Sequence, residues 1–220
     1  MSSSDVTGSA YLIEIPTGEK ILLDMGLYQT CKPYEDYKIN KRKFDFKPSE
    51  LTAVIISHAN ADHFALLPKL FRDGAKCNIY IAAENIDFMQ PMLEDSAKII
   101  ERDCQAFSRK LKREHQPFYD QDDVVNVLPY FKGCSKNELH YITENVWFEL
   151  LDAGHIFGSC QIMVYVKLPS GNIKKIGYSG DLGNILFEQP FVADLIPITK
   201  CHMYIGETTY NDSKRSCKKD

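Results

Sequence analysis

The run Ser57-His58-Ala59-Asn60-Ala61-Asp62-His63 gathers two imidazoles, a carboxamide and a carboxylate within a few residues, directly after the apolar stretch 53–57 (AVIIS). Imidazole with carboxylate is the donor mixture that zinc prefers, with iron or manganese as alternatives. Two later segments offer the same donors at glycine-flanked strand ends: Gly154-His155-Ile156-Phe157-Gly158-Ser159 and Tyr178-Ser179-Gly180-Asp181-Leu182-Gly183. Each segment alone reads plainly as a polar loop whose side chains satisfy local hydrogen bonds. Together, three strand ends that each present a ligand type read as the rim of one metal site.

Such a site needs rigid elements behind it. Residues 10–15 and 20–24 are apolar runs separated by Pro16, Thr17 and Gly18, which predicts a β-hairpin. The tract 28–50 is polar and without periodicity, and reads as an excursion over the surface. A strand is expected at 53–57 and a helix at 64–73, with Leu66, Leu67, Leu70 and Phe71 on one face and Gly74 as the stop. Another strand follows at 77–82. From 85 to 114 the pattern is helical, with Phe88, Met92, Ile99 and Phe107 on the apolar face and Pro91 marking a start or kink. Residues 122–132 predict a shorter helix entered through acidic residues. Strands are then expected at 146–151, 161–167, 173–178 and 203–206, with a turn at 169–172. Strands, then helices, then strands indicate a layered α/β (α+β) fold and not a regular βαβ alternation.

Composition narrows the partners. The 220 residues are 44% hydrophobic and 25% charged, which is ordinary for a globular chain. A net charge of −4 and a pI near 5.9 exclude a protein that coats nucleic acid through bulk positive charge. Lys41-Arg42-Lys43, the Arg109–Arg113 cluster and the lysines near the C-terminus read mainly as solvated faces. There is no apolar run of ~18 residues for a membrane span, and the start carries no signal-peptide pattern. Seven cysteines without a CxxC pair read as free thiols in a reducing, intracellular compartment.

The strings SHANADH, GHIFGS and YSGDLG, in that order, with Asp24 in ILLDMG before them, resemble the metallo-β-lactamase fold. VTGSAYLIE, GLYQ, LLPKLFRDG, MLEDSAKI and YIGETTY resemble, more narrowly, its β-CASP branch of RNA-processing nucleases, over residues 6–210. The resemblance implies a four-layer αββα sandwich with the metal site at one edge of two sheets. By position it implies that His58 and His155 hold one zinc, that Asp62 and His63 hold a second, and that Asp181 bridges them. Asp62, His63 and Asp181 are thereby the expected catalytic residues, and Asp24 the residue that fixes a ligand histidine from behind. The implied activity is hydrolysis of RNA phosphodiesters by metal-activated water.

Two departures qualify that expectation. The family carries a histidine where this chain has Asn60, whose neutral carboxamide is a poor zinc ligand, so the first metal position is expected to be weakened or empty. After the ETTY string the family continues into a cap and returning strands, whereas this sequence ends ten residues past Tyr210. It therefore reads as an N-terminal portion at 1–210 with a polar tail at 211–220, the sandwich incomplete at its C-terminal end. An unfinished sandwich is expected to associate with a complementary chain or with itself. His115, His140 and His202 fall outside the matched strings and read as ordinary histidines. The alternative function is a catalytically silent scaffold or binding subunit of an RNA-processing complex. A hydrolase of small esters or thioesters on the same scaffold is the weaker third option.

Overall fold

Polar side chains, as much as apolar ones, decide how the first part of the chain folds. The computed structural model describes residues 7–183 and 191–209. β1 (Tyr11–Glu14) and β2 (Lys20–Leu23) form the expected antiparallel hairpin, with Tyr11 opposite Leu23. The polar tract that follows is not the irregular excursion expected, because α1 (Pro33–Asn40) forms within it. Buried Asp36 accepts the N–H and hydroxyl of Thr30, and buried Asn40 exchanges two hydrogen bonds with the Tyr28 backbone. Specific polar contacts dock this helix, so it lacks the apolar period that betrays a helix in sequence.

β3 (Ala53–Ile55) is completely buried, as its all-apolar sequence demands. The helix expected at 64–73 is divided into α2 (Ala61–Phe64) and α3 (Leu67–Arg72). Pro68 stands in the first turn of α3, where its missing N–H costs nothing, and the helix restarts there. β4 (Asn78–Ala82) leads into α4 (Ile86–Leu111), which continues through Pro91. Its buried stripe is Met89, Leu93, Ala97, Ile100 and Cys104, one position round from the expected face, and Phe88 and Ile99 are exposed. The small Ala97 and Cys104 let the helix lie close to its neighbours, which counting large apolar residues overlooks. α5 (Gln121–Val127) opens on a reciprocal capping box between Asp120 and Asp123. It does not continue to 132, because a turn containing Pro129 ends it and β5 (Phe131–Cys134) pairs with β4. The remaining strands are β6 (His140–Tyr141), β7 (Val146–Asp152), β8 (Cys160–Lys167), β9 (Ile173–Tyr178) and β10 (Met203–Ile205).

Two five-stranded sheets result, ordered β1-β2-β3-β4-β5 and β10-β9-β8-β7-β6. Alternation along β3 and the residue after it serves two cores: Val54 and Ile56 face the helices, while Ala53 and Ile55 face the second sheet. Ile55, Phe148, Leu150 and Ile162 are buried in that second core. Three layers, helix–sheet–sheet, are therefore present among the described residues, where no helix covers the outer face of the second sheet. The segment around Ile196 covers part of that face, through a bond from the Gln161 amide to the Ile196 carbonyl. The tail at 211–220 lies outside the described residues.

The six described cysteines are free, and burial pushes the thiols of Cys77, Cys104 and Cys134 up to about 11 and that of Cys160 up to about 12. Timed labelling with a disulfide reagent at neutral pH is therefore expected to modify exposed Cys31 first. The four buried thiols should react at least ~100-fold more slowly until denaturant is added, since thiolate is the reactive form. Peptide mapping that finds Cys160 labelled as fast as Cys31 would mean the inter-sheet core is open to solvent.

Candidate metal centre

Backbone hydrogen bonds fix each of the three ligand-bearing segments before any side chain acts. The segment between β3 and α2 is clamped by Met25 N–H to the His63 carbonyl (2.7 Å), Leu27 N–H to Ala61 (2.9 Å) and Ser9 N–H to Asp62 (2.9 Å). Gly26 makes that clamp sterically feasible: a Cβ on it would lie 1.6 Å from the Asp62 carbonyl oxygen. Cys160 N–H donates to the Ser57 carbonyl at 2.9 Å, tying β8 of the second sheet to the same segment. In the turn after β7, the Ser159 hydroxyl accepts the N–H groups of His155 and Ile156, and the Asn85 amide donates to the Gly158 carbonyl. The Asp181 turn after β9 packs directly on that one, because a Cβ on Gly183 would lie 1.4 Å from the Gly154 carbonyl oxygen.

His58, His63 and Asp181 form one close group, with Asp62, His155 and Asn60 around it. The Asp181 carboxylate is the hub, 3.2 Å from His63 Nε2, 3.6 Å from His155 Nε2 and 3.7 Å from His58 Nε2. Ligand atoms of His58, His63 and Asp181 all lie within 4.8 Å of one another. His155 joins this set through Asp181, and Asp62 joins it through His63 at 3.8 Å. Asn60 faces His155, its amide nitrogen 3.5 Å from Nε2. His58 and His63 are buried, whereas Asp62, His155 and Asp181 keep 29% of their side-chain surface exposed and form the open side. His115, His140 and His202 each bond locally, to Tyr34 and Arg113, to Ser135 and to Lys175.

Behind the cluster lies Asp24, fully buried. Its carboxylate accepts four hydrogen bonds of 2.7 Å, from the Ser57 N–H and hydroxyl, His63 Nδ1–H and the Tyr178 hydroxyl. The network sets the imidazole tautomers. Because the Ser57 hydroxyl spends its only proton on Asp24, it must accept from His58 Nδ1, 3.0 Å away. His58 Nε2 is then a bare lone pair, aimed into the cluster, buried and without a hydrogen-bond partner. A buried unsatisfied polar atom costs ~1–3 kcal/mol. A cation at that point satisfies it, and a donor set of imidazoles and carboxylates suits a divalent transition ion.

Charges are distributed accordingly. Burial, then the neighbouring His63 charge, holds the His58 pKa far below the ordinary histidine value, so this ring is neutral. For His63, burial opposes charging, but Asp181 and Asp24 outweigh it and hold the pKa well above the usual range. Burial would raise Asp181, yet hydrogen bonding and charge from His63 bring it below the ordinary carboxylate value. Asp62 goes the other way, raised mainly by burial. Without an ion, a proton on His63 thus supplies positive charge among three carboxylates.

Three contributors went unassigned in the sequence reading. Ser57 and Tyr178 had no signal beyond flanking the ligand strings. Glu207, inside YIGETTY, accepts the Leu182 N–H at 2.5 Å and donates its own N–H to the Ser179 hydroxyl, holding the Asp181 turn from the β10 side.

Residues 4–133 match the family model described as metallo-beta-lactamase superfamily. Ribonuclease TTHA0252 of Thermus thermophilus is 30% identical over 212 residues, covering 96% of this chain and 43% of the relative. The transcription termination factor FttA of Thermococcus kodakarensis is 28% identical, covering 95% of this chain and 31% of the relative. The chain thus spans less than half the length of these relatives. Among solved structures, BJP-1, a subclass B3 metallo-beta-lactamase of Bradyrhizobium japonicum, superposes with a TM-score of 0.49 at 15% identity, over 91% of this chain and 71% of that one. With the family model matching well over half of its residues, the chain belongs to the metallo-β-lactamase superfamily.

Proposed function

We propose that this chain is the metal-binding portion of a β-CASP-type ribonuclease that hydrolyses RNA phosphodiesters inside the cell. The observation that carries the reading is the buried, unpartnered His58 Nε2 aimed at the Asp181 carboxylate. Relatives named ribonuclease and transcription termination factor support RNA as the substrate class. In the proposed assignment His58 and His155 hold one ion, Asp62 and His63 hold another, and Asp181 is shared. Zinc is the first choice, with manganese or iron as alternatives. Bound divalent cations supply Lewis acidity toward a phosphodiester and bring water near neutrality in pKa. Asp24 fixes the His63 ring so that Nε2 faces the centre. Asp62, His155 and Asp181 border the open side, where a phosphodiester would enter. No helix among the described residues is long and apolar enough to cross a membrane. Contact with a complementary chain or a second copy belongs to the proposal, supported by exposed Tyr141, Met203 and Tyr204 on the outer strands of the second sheet.

Asn60 favours a second reading, a silent RNA-binding or scaffold subunit. Its amide touches His155 but brings no charge and little basicity to the first metal position. Metal analysis of the purified chain separates the two. The nuclease reading expects bound zinc, manganese or iron, RNA cleavage that a chelator abolishes, and ~10-fold or greater gain in metal retention for Asn60→His. Absence of tightly held metal, with RNA binding unaffected by chelator and no cleavage in either protein, would leave the silent subunit.

A further inference from the structure

We infer that Phe157, braced by Phe88, is a stacking platform for an unpaired nucleobase beside the metal centre. The inference rests on the RNA reading above and adds to it the residue that grips the base. Phe157 lies two residues beyond His155 in the same turn, so their Cα atoms are at most ~7 Å apart. That turn is rigid, since the Ser159 hydroxyl accepts two of its N–H groups and the Asn85 amide holds the Gly158 carbonyl. The Asn85 bond also pins the turn to the start of α4, which brings Phe157 edge-on to Phe88, with ring centroids 6.4 Å apart at 82°. Both rings stay about half exposed, at 46% and 47%, and belong to neither core.

Among the described residues, neither hydrophobic core holds either ring. A half-exposed phenyl group in a turn fixed by several hydrogen bonds, set against a second one on α4, sacrifices burial that Leu or Met side chains could recover by folding down. Their position explains them better. A phosphodiester at the open side formed by Asp62, His155 and Asp181 carries its adjoining base about one nucleotide away, and Phe157 is two residues along the chain from His155 on that border. An aromatic face accepts any base, and the braced geometry supplies it without ordering cost. The phosphate is then positioned by the centre and the base by the ring, on one rigid turn.

The test uses the zinc-loaded chain and a single-stranded phosphorothioate RNA 12-mer, with binding followed by fluorescence anisotropy. Phe157→Ala and Phe157→Leu are expected to weaken binding by about 10- to 100-fold, while Phe157→Tyr stays within about 2-fold of the parent. Metal content and the slope of affinity against salt should be the same in all, because phosphate contacts are untouched. Removing the base at one position of the 12-mer should weaken the parent as much as Phe157→Ala does, and should cost that variant nothing more. Equal affinity of the parent and Phe157→Leu would overturn the stacking role, leaving an apolar cover. So would unchanged RNA affinity in Phe157→Ala with altered self-association, which would assign the pair to a protein contact. If the zinc-loaded parent neither binds nor cleaves RNA, the nuclease reading itself fails and this inference falls with it.

Discussion

Asp24→Ala should destabilise the chain by on the order of 3–5 kcal/mol and abolish metal retention, a larger effect than that of any exposed substitution. The fully buried carboxylate accepts four hydrogen bonds, and its loss strands two Ser57 donors, the Tyr178 hydroxyl and the His63 ring together. Of these, His63 suffers most, since it loses the buried Asp24 and keeps Asp181 and the more distant Asp62 against its burial. The position also has a backbone cost, because Asp24 sits at φ +58°. Aspartate and asparagine visit the left-handed region readily, and alanine does so at ~1 kcal/mol or more. Asp24→Asn separates the two contributions: it keeps the backbone preference and the size but loses the charge. Urea unfolding of the parent and both variants should therefore rank Asp24→Ala lowest, with Asp24→Asn between. An Asp24→Ala protein within ~1 kcal/mol of the parent would mean that the network does not organise this end of the fold.

Gly26→Ala and Gly183→Ala should be comparably severe for a different physical reason. Neither residue needs an unusual φ; each needs the absence of a side chain. A methyl group on Gly26 would overlap the Asp62 carbonyl, and one on Gly183 would overlap the Gly154 carbonyl next to His155. Backbone is the least able neighbour to yield, so one ligand-bearing segment must move by an ångström or more. Displacement of that size is enough to ruin a ligand set. Each variant is expected to lose tightly bound metal and to unfold at least ~3 kcal/mol more readily. Gly171→Ala is the matched control: at φ +82° with open space around it, it should cost only ~1 kcal/mol and leave metal content unchanged. If Gly26→Ala behaves like Gly171→Ala in metal analysis and thermal denaturation, the clamp from residues 25–27 does not position Asp62 and His63.

The three candidate segments were legible in the sequence because each follows an apolar strand and gathers polar donors, in two of them between glycines. The hairpin at 11–23, the buried strand at 53–55 and the strands of the second sheet were legible for the related reason that burial on one or both faces leaves a period. What stayed hidden has physical causes. α1 docks through Asp36 and Asn40, whose hydrogen bonds leave no periodic trace. The buried face of α4 uses Ala97 and Cys104, which volume-weighted reading passes over. β5 is fixed by a partner distant in sequence, and the two-residue β6 is too short to show a period. The roles of Tyr178 and Glu207 required knowing that β9 and β10 end beside β3, which no local pattern states. Asn60 was conspicuous from its type alone, yet only the coordinates show it turned toward His155.

The Ser57–Cys160 hydrogen bond shows that donor groups from both sheets meet across a boundary between two halves of the protein. Ile55, Phe148 and Ile162, far from polar chemistry, therefore act as spacers that set the mutual alignment of those halves. Adding or removing a methylene among them would shift one group of donors against the other by a fraction of a bond length. Interior aliphatic volume is, in this protein, a tuning variable for how the imidazoles that follow β3 meet the Asp181 carboxylate that follows β9.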